Sequence, residues 1–416
     1  MMRTGEVNTY LINMKNFLKN SILVLVSIIF SLVLAELVIR WMEPEKTVGN
    51  DILAYIGTPG GDIDERGFRN NEALEQASIV VIGDSQTYGN NASLEEAWPQ
   101  VYAGLVEEKM YQMAYGGYGP IQYRYLFDKA QELEPKKIIV AMYLGNDFYD
   151  AYNMACNKDY WKNYCGVGEL ENNVSQESKN VRMMILYGYD DDSIQMKILK
   201  LRQLIRKHSR LYGLLGNASR SLREKLGLAQ KKEEVANRVN DWAENNDEAI
   251  LFKYNDSSTI LSPEYRLGAV SLDDPKTAEG FEVFKKTFAE MNDLATEKNI
   301  EFEVVIIPTK EIIYYNYSKQ TEGTDLSGLD AYILKEEELL RNVEGFFDED
   351  GIEYHLVLSD MVKALEDGGV LYNKGIDGHP NSAGYEVIAQ SVYNFEQTKN
   401  IETETATTSL EKILEE

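Results

Sequence analysis

The chain has 416 residues, 42 basic against 68 acidic, giving a net charge of −26 with an ordinary apolar share of 44%. That length exceeds one typical domain and supports a sizeable core with an insertion and an anchor besides. So acidic a surface would repel a phosphate backbone, which argues against general nucleic-acid binding.

The first feature in chain order is the apolar run Ile22 to Ile39, eighteen residues interrupted only by Ser27, Ser31, Ala35 and Glu36. At 1.5 Å per residue it covers about 27 Å against a hydrocarbon core of roughly 30 Å, so residues 21–41 read as a transmembrane helix. Arg3, Lys15 and Lys19 precede it with the single acid Glu6, whereas Arg40 is soon followed by Glu43 and Glu45. The positive-inside rule then keeps residues 1–20 cytoplasmic and the rest of the chain outside. A cleaved signal peptide is the alternative, since Ile22 to Ala35 is only fourteen residues long. No clear Ala-x-Ala site follows, and Glu36 to Arg40 continues an amphipathic helix, which favours an uncleaved anchor. Residues 42–74 read as a linker.

From residue 75 short apolar runs alternate with helical patterns: Ile79 to Ile82, Trp98 to Lys109, Tyr111 to Ala114, Pro120 to Leu133, Lys137 to Leu144. Continuously apolar strands separated by helices imply a mainly parallel sheet covered on both faces, an α/β three-layer sandwich. Residues 148–270 break the rhythm and read as a largely helical insertion or cap. The rhythm resumes over 271–397 with a helix at Pro275 to Glu297, a strand Glu301 to Ile307, a helix Ala331 to Phe347, a strand Glu353 to Leu358 and a helix Ser382 to Phe395. The acidic tail 398–416 has little to bury and is expected to be loosely ordered.

Within the insertion, Asp192 to Asn237 is the one basic stretch, with Leu199, Leu201, Leu204, Ile205, Leu211, Leu214 and Leu215 at helical spacing beside a run of Lys and Arg. A solvated helix face is the plain reading; a cap that leans on anionic headgroups or gathers an acidic polymer is the functional one. The two cysteines, Cys156 and Cys165, have eight residues between them and read either as a local disulfide or as two free thiols. Neither has the neighbours of a metal site, and neither a Walker loop nor a dinucleotide glycine motif is present, so no metal or organic cofactor is expected.

The chemistry-bearing signals begin with Gly83-Asp84-Ser85, where a serine just past an apolar strand can present its hydroxyl at the sheet edge. Asp377-Gly378-His379-Pro380-Asn381 sets an imidazole in a polar loop before a helix, and a serine with a distant histidine as base is what nucleophilic acyl transfer requires. The other two histidines, His208 and His355, lie in the basic helix and on a predicted strand. Between the serine and His379 stand Gly117, in Tyr115-Gly116-Gly117-Tyr118-Gly119, and Asn146, in Gly145-Asn146-Asp147.

With Ser, Gly, Asn and His in this order, the chain resembles the SGNH (GDSL-type) hydrolase family over roughly residues 75 to 150 and 295 to 397. Ala97-Trp98-Pro99 is similar to that family's Trp-Pro helix start, and Gly117-Tyr118-Gly119 with Gln122 to its glycine-rich second block. The resemblance implies Ser85 as nucleophile, His379 as base and then acid, and an oxyanion hole from the Ser85 and Gly117 amides and the Asn146 side chain, with Gly116 or Gly119 as substitutes for Gly117. Asp377 would orient the imidazole, yet it stands two residues before His379 where the family has three; a Ser-His dyad, or a backbone carbonyl in its place, stays open. Asp84 and Asp147 are expected to be supporting residues. Thr309-Lys310-Glu311 resembles a segment of membrane-anchored acyl-handling relatives and is expected to be non-catalytic.

The function so implied is a membrane-anchored, outward-facing serine hydrolase of O-acyl esters, carbohydrate esters among them. The alternatives are an O-acyltransferase for an envelope or exported polysaccharide, and a catalytically silent glycan-binding surface protein.

Overall fold

The computed structural model describes residues 4–42, 47–50, 52–167, 170, 183–184, 186–225, 232–246, 249–320 and 326–415. The chain divides into two compact units, Met1–Glu45 with Asp190–Lys232, and Lys46–Tyr189 with Glu233–Glu416. In chain order the main elements are α1 (Thr4–Met42), β1 (Thr47–Asn50), β2 (Ala54–Gly57), β3 (Ile79–Gly83), α2 (Ser85–Tyr88), α3 (Trp98–Val106), β4 (Met110–Ala114), α4 (Pro120–Ala130), β5 (Lys137–Tyr143) and α5 (Asp147–Asn157). They continue with α6 (Ile194–His208), α7 (Arg210–Lys225), α8 (Lys232–Glu244), β6 (Ile250–Tyr254), β7 (Ser257–Leu261), α9 (Pro263–Val270), α10 (Pro275–Lys298), β8 (Glu301–Ile307), α11 (Lys310–Lys319), α12 (Asp330–Asp350), β9 (Glu353–Leu356), α13 (Leu358–Glu366) and α14 (Ser382–Glu415).

In the first unit, the Phe17–Met42 part of α1 is long and apolar enough to cross a membrane, and none of its most apolar window is buried. The second unit is built on a five-stranded sheet of order β4-β3-β5-β8-β9, every neighbouring pair parallel. Every residue of β3, β4 and β5 is buried, which is why these strands are mostly apolar rather than alternating, with Gln112 and Lys137 the polar exceptions. Helices flank the sheet: α4 and α5 pack on α10, α3 on α14, and α11 on α13. The α5–α10 crossing is so close that a Cβ at Gly280 would lie 1.7 Å from the Phe148 carbonyl oxygen, so only glycine fits there.

Register aligns Gly83 with Ala114 and with Ala141, so β3 and β4 release their following loops at one level and β5 releases its loop two residues further on. Those loops carry Ser85, Gly117 and Asn146, at the carboxyl strand ends where open α/β sheets bind ligands. Near the start of β5, the Lys137 amine is buried against Glu303, at 2.6 Å, and Glu396. Tyr102 Oη also donates to Glu396 Oε1, at 2.6 Å, which fastens α14 to the body of the unit.

Some segments differ from the sequence expectation. Residues 42–74 are more than a linker: they form the β1–β2 hairpin, bury Leu53 and Phe68, and carry Arg69, whose guanidinium donates to the carbonyls of Tyr88, Gly89 and Ala92. The strand at Glu353 ends at Leu356, and Leu358 opens α13. Inside 148–270 the structure holds the β6–β7 hairpin, closed by Asn255 and Asp256 at positive φ, the two-residue turn geometry that such residues favour. Cys156 and Cys165 are disulfide-bonded. Helix α14 extends through the tail to Glu415, with no proline and only Gly384 after Ser382 to interrupt it.

Candidate active site

Ser85 opens the short helix α2 directly after β3, and Asp84 caps it by accepting the Gln86 N–H at 2.8 Å. The turn is tight: a Cβ at Gly83 would stand 2.2 Å from Thr87 Oγ1. Ser85 Oγ lies 2.8 Å from His379 Nε2 and 3.2 Å from Asp84 Oδ2. His379 Nδ1 in turn lies 2.6 Å from Asp377 Oδ1.

Asp377 reaches the ring despite its shortened spacing because its carboxylate folds back over its own loop. Oδ1 also accepts the backbone N–H of His379 at 3.1 Å, an Asx-type turn, and Oδ2 accepts Asn91 Nδ2 at 3.0 Å. Burial works to raise the Asp377 carboxyl, but the bonds from His379 and Asn91 and the imidazole's charge outweigh it and hold the group well below the usual carboxylate range. Asn91 also donates to the His379 carbonyl at 3.2 Å, and Asn90 Nδ2 stands 3.3 Å from His379 Nε2. Asn91 has φ +73°, a left-handed geometry that Asn tolerates better than most residues.

Gly116 lies beside Ser85, where a Cβ on it would be 3.5 Å from Ser85 Cβ. Among the described residues no acceptor takes the Gly116 or Gly117 amide. Gly117 is exposed with φ +79°, and a Cβ there would come within 2.3 Å of the Tyr55 hydroxyl, which itself donates to Gly116 O at 2.5 Å. Gly119 instead packs on α5, where its Cβ would be 3.2 Å from Asp150 Cβ.

Asn146 caps α5, but one hydrogen of its amide is committed to Asp150 Oδ2 at 2.7 Å, and its Oδ1 is buried without a partner. Asp150 escaped the sequence reading. Burial, reinforced by the charge of Asp84, pushes its carboxyl up to about 7, with the Asn146 bond opposing. Asp147 is fully buried, accepting Tyr143 N at 3.1 Å and Tyr123 Oη at 3.2 Å, and burial raises it well above the carboxylate range. Burial likewise raises Asp84.

Two further groups surround the site. Tyr55, from the β1–β2 hairpin, meets Tyr115 with ring centroids 5.5 Å apart, and Tyr115 meets Tyr88 at 5.4 Å, making a half-buried aromatic wall next to Gly116 and Gly117. Beneath the loop carrying His379, the fully buried Lys310 amine donates to Gly375 O at 2.9 Å, Asp377 O at 3.0 Å and Thr259 Oγ1 at 3.2 Å. Burial brings this lysine down to about 7. Beside it Arg266 pairs with Glu311 at 3.0 Å and lies so close that a Cβ at Gly378 would meet its Nη2 at 2.4 Å.

A second serine–histidine contact exists, His355 Nε2 with Ser391 Oγ at 2.7 Å, but Ser391 is buried and donates its own proton to Asp360. The imidazole must therefore be the donor in that pair, the reverse of a general base. His208, the third histidine, ends α6.

No family model matches the chain, and no curated protein does. Among solved structures, a protein of Parabacteroides merdae provisionally described as a GDSL-like lipase aligns over 77% of this chain and 95% of that one, at 9% identity and a TM-score of 0.30. A likeness of that size carries no argument, so the chemistry is read from the geometry above.

Proposed function

We propose that the chain is an SGNH-type serine ester hydrolase with a three-layer α/β catalytic unit, held at the cell membrane by α1 with residues 1–20 cytoplasmic and the catalytic unit outside. The observation that carries the reading is the unbroken line from Ser85 Oγ to His379 Nε2 at 2.8 Å and from His379 Nδ1 to Asp377 Oδ1 at 2.6 Å. In the reaction, His379 Nε2 takes the Ser85 proton as Oγ bonds to the acyl carbon, while Asp377 fixes the Nδ1–H tautomer and balances the imidazolium. The carbonyl oxygen, now negative, is met by the amides of Ser85 and Gly117 and by the Asn146 side chain; each such donor is worth roughly 3 to 4 kcal/mol. Collapse breaks the C–O bond, and the alcohol leaves with the proton from Nε2. Water then repeats the sequence and frees the acid.

Carbohydrate esters are the favoured substrate class, because Tyr55, whose hydroxyl reaches Gly116 O, and the Tyr115 ring against it set half-buried aromatic surface next to the Ser85 turn. A fluorophosphonate probe is expected to label the full-length protein, and Ser85→Ala to remove the label; equal labelling of the variant refutes the nucleophile. With p-nitrophenyl acetate, nitrophenol release without modification of an added polysaccharide identifies hydrolysis. Acylated polysaccharide identifies transfer instead.

A further inference from the structure

The open side of α6 is its apolar side. Ile194, Ile198, Leu201 and Ile205 follow i, i+4, i+7, i+11 along one stripe and are between 39% and 72% exposed, whereas Met196, on the opposite side, is fully buried. Leu214, Leu215 and Leu222 continue the exposed apolar surface on α7. A solvated surface helix has the reverse arrangement, so a plain water-facing reading does not fit. Charge runs the same way: from Ser193 to Arg223 the sequence has eight Lys and Arg and no acid, inside a chain of net charge −26. Lys197 and Arg202 flank the stripe by their helical phase.

The elbow between the two helices is tied to the end of α1. Glu36 accepts the backbone N–H groups of Arg210 and Leu211 and the Ser209 hydroxyl, each at 2.9 Å, and so caps α7. Arg40 Nη2 donates to the His208 carbonyl at 3.0 Å. The contacts come from the last two turns of the apolar helix, the depth at which a membrane span leaves the hydrocarbon.

The geometry points to α6 and α7 as an interfacial helix pair that lies on the anionic lipid surface where α1 emerges, its apolar stripe in the headgroup boundary and its lysines and arginines against lipid phosphates; this rests on reading α1 as a membrane span. The bilayer is the occupant because the elbow that joins the two helices is hydrogen-bonded to the end of the apolar helix that would span it, and because basic flanks complement acidic headgroups.

The test uses the full-length chain in nanodiscs, with an environment-sensitive fluorophore at Leu201→Cys, brominated phospholipid as the lipid-side quencher and iodide as the aqueous one. Val26→Cys, within α1, reports the span itself, and exposed Glu349→Cys is the aqueous reference. In discs containing phosphatidylglycerol, lipid-side quenching at Leu201→Cys is expected to be at least threefold that at Glu349→Cys. Combined Lys197→Gln, Arg202→Gln and Lys207→Gln should at least halve it, with circular dichroism unchanged. Strong lipid quenching at Val26→Cys with only reference-level quenching at Leu201→Cys overturns the inference while leaving the anchor intact. Reference-level quenching at both positions overturns the anchor reading as well. Shielding from iodide without lipid quenching means that protein covers the stripe, and also overturns it.

Discussion

Asp377 shows how one carboxylate can serve at a spacing the family resemblance disfavours: its Oδ1 bonds the backbone N–H and the ring of the same histidine two residues on. Asp377→Asn keeps the shape but favours the wrong imidazole tautomer, so kcat is expected to fall by on the order of 10² to 10⁴ with KM nearly unchanged. Retention of full kcat would point to a Ser-His dyad. Gly117→Ala forces a left-handed backbone on a residue with a Cβ, costing about 1 to 2 kcal/mol, and drives that carbon onto the Tyr55 hydroxyl. Its kcat/KM should drop more than tenfold while Gly116→Ala, whose Cβ makes only ordinary contact at 3.5 Å, loses less. Ser85 and His379 were legible in the sequence because each follows from local context, an apolar strand or a polar loop before a helix. Asp150 was not, since what distinguishes it is burial beside Asp84 rather than any neighbour in sequence.

At the scale of elements, the sheet strands were legible from their largely apolar segments between helical patterns, and β8, whose apolar end Val304 to Ile307 follows two glutamates, was legible to the residue. The β1–β2 hairpin was not: its strands are four residues each, too short for a periodic signal, and its value lies in delivering Tyr55 to a glycine loop sixty-one positions later. Helix α11 was missed for a related reason, although Thr309-Lys310-Glu311 drew attention as a motif. Its first residue holds the carbonyls of Gly375 and Asp377, so the helix acts as the floor of the loop that presents His379. Lys310→Met leaves those acceptors and Thr259 Oγ1 without their donor, at about 1 to 3 kcal/mol for an orphaned buried group. A urea midpoint shift of that size, together with roughly tenfold lower kcat at constant KM, is the expected pair of results; lost stability with unchanged kcat would make the lysine purely structural.

For the molecule as a whole, the acids gathered under the site set a pH dependence. Asp150 has a folded-state value raised to about 7, above the unfolded carboxyl near 3.9, so the unfolded chain gives up this proton first. The stability Asp150 contributes is therefore fullest below about pH 4 and is lost as pH climbs toward 7, at about 1.4 kcal/mol per pH unit, levelling off above it. Burial shifts Asp84 and Asp147 in the same sense. Asp150→Asn removes the penalty, so its stability advantage over the parent in urea melts should widen by about 2 kcal/mol from pH 5 to pH 8; a constant gap would mean the carboxyl is solvated.

The hydrogen bond between Ser85 and His379 joins residues 294 positions apart. If the proposed reaction holds, synthesis delivers the alcohol 294 positions ahead of its activator, so a polypeptide clipped ahead of residue 377 would carry a dormant hydroxyl. Under the proposed topology the reactive machinery would be completed only once residue 379 has been translocated, and ester bonds met before then would be left intact.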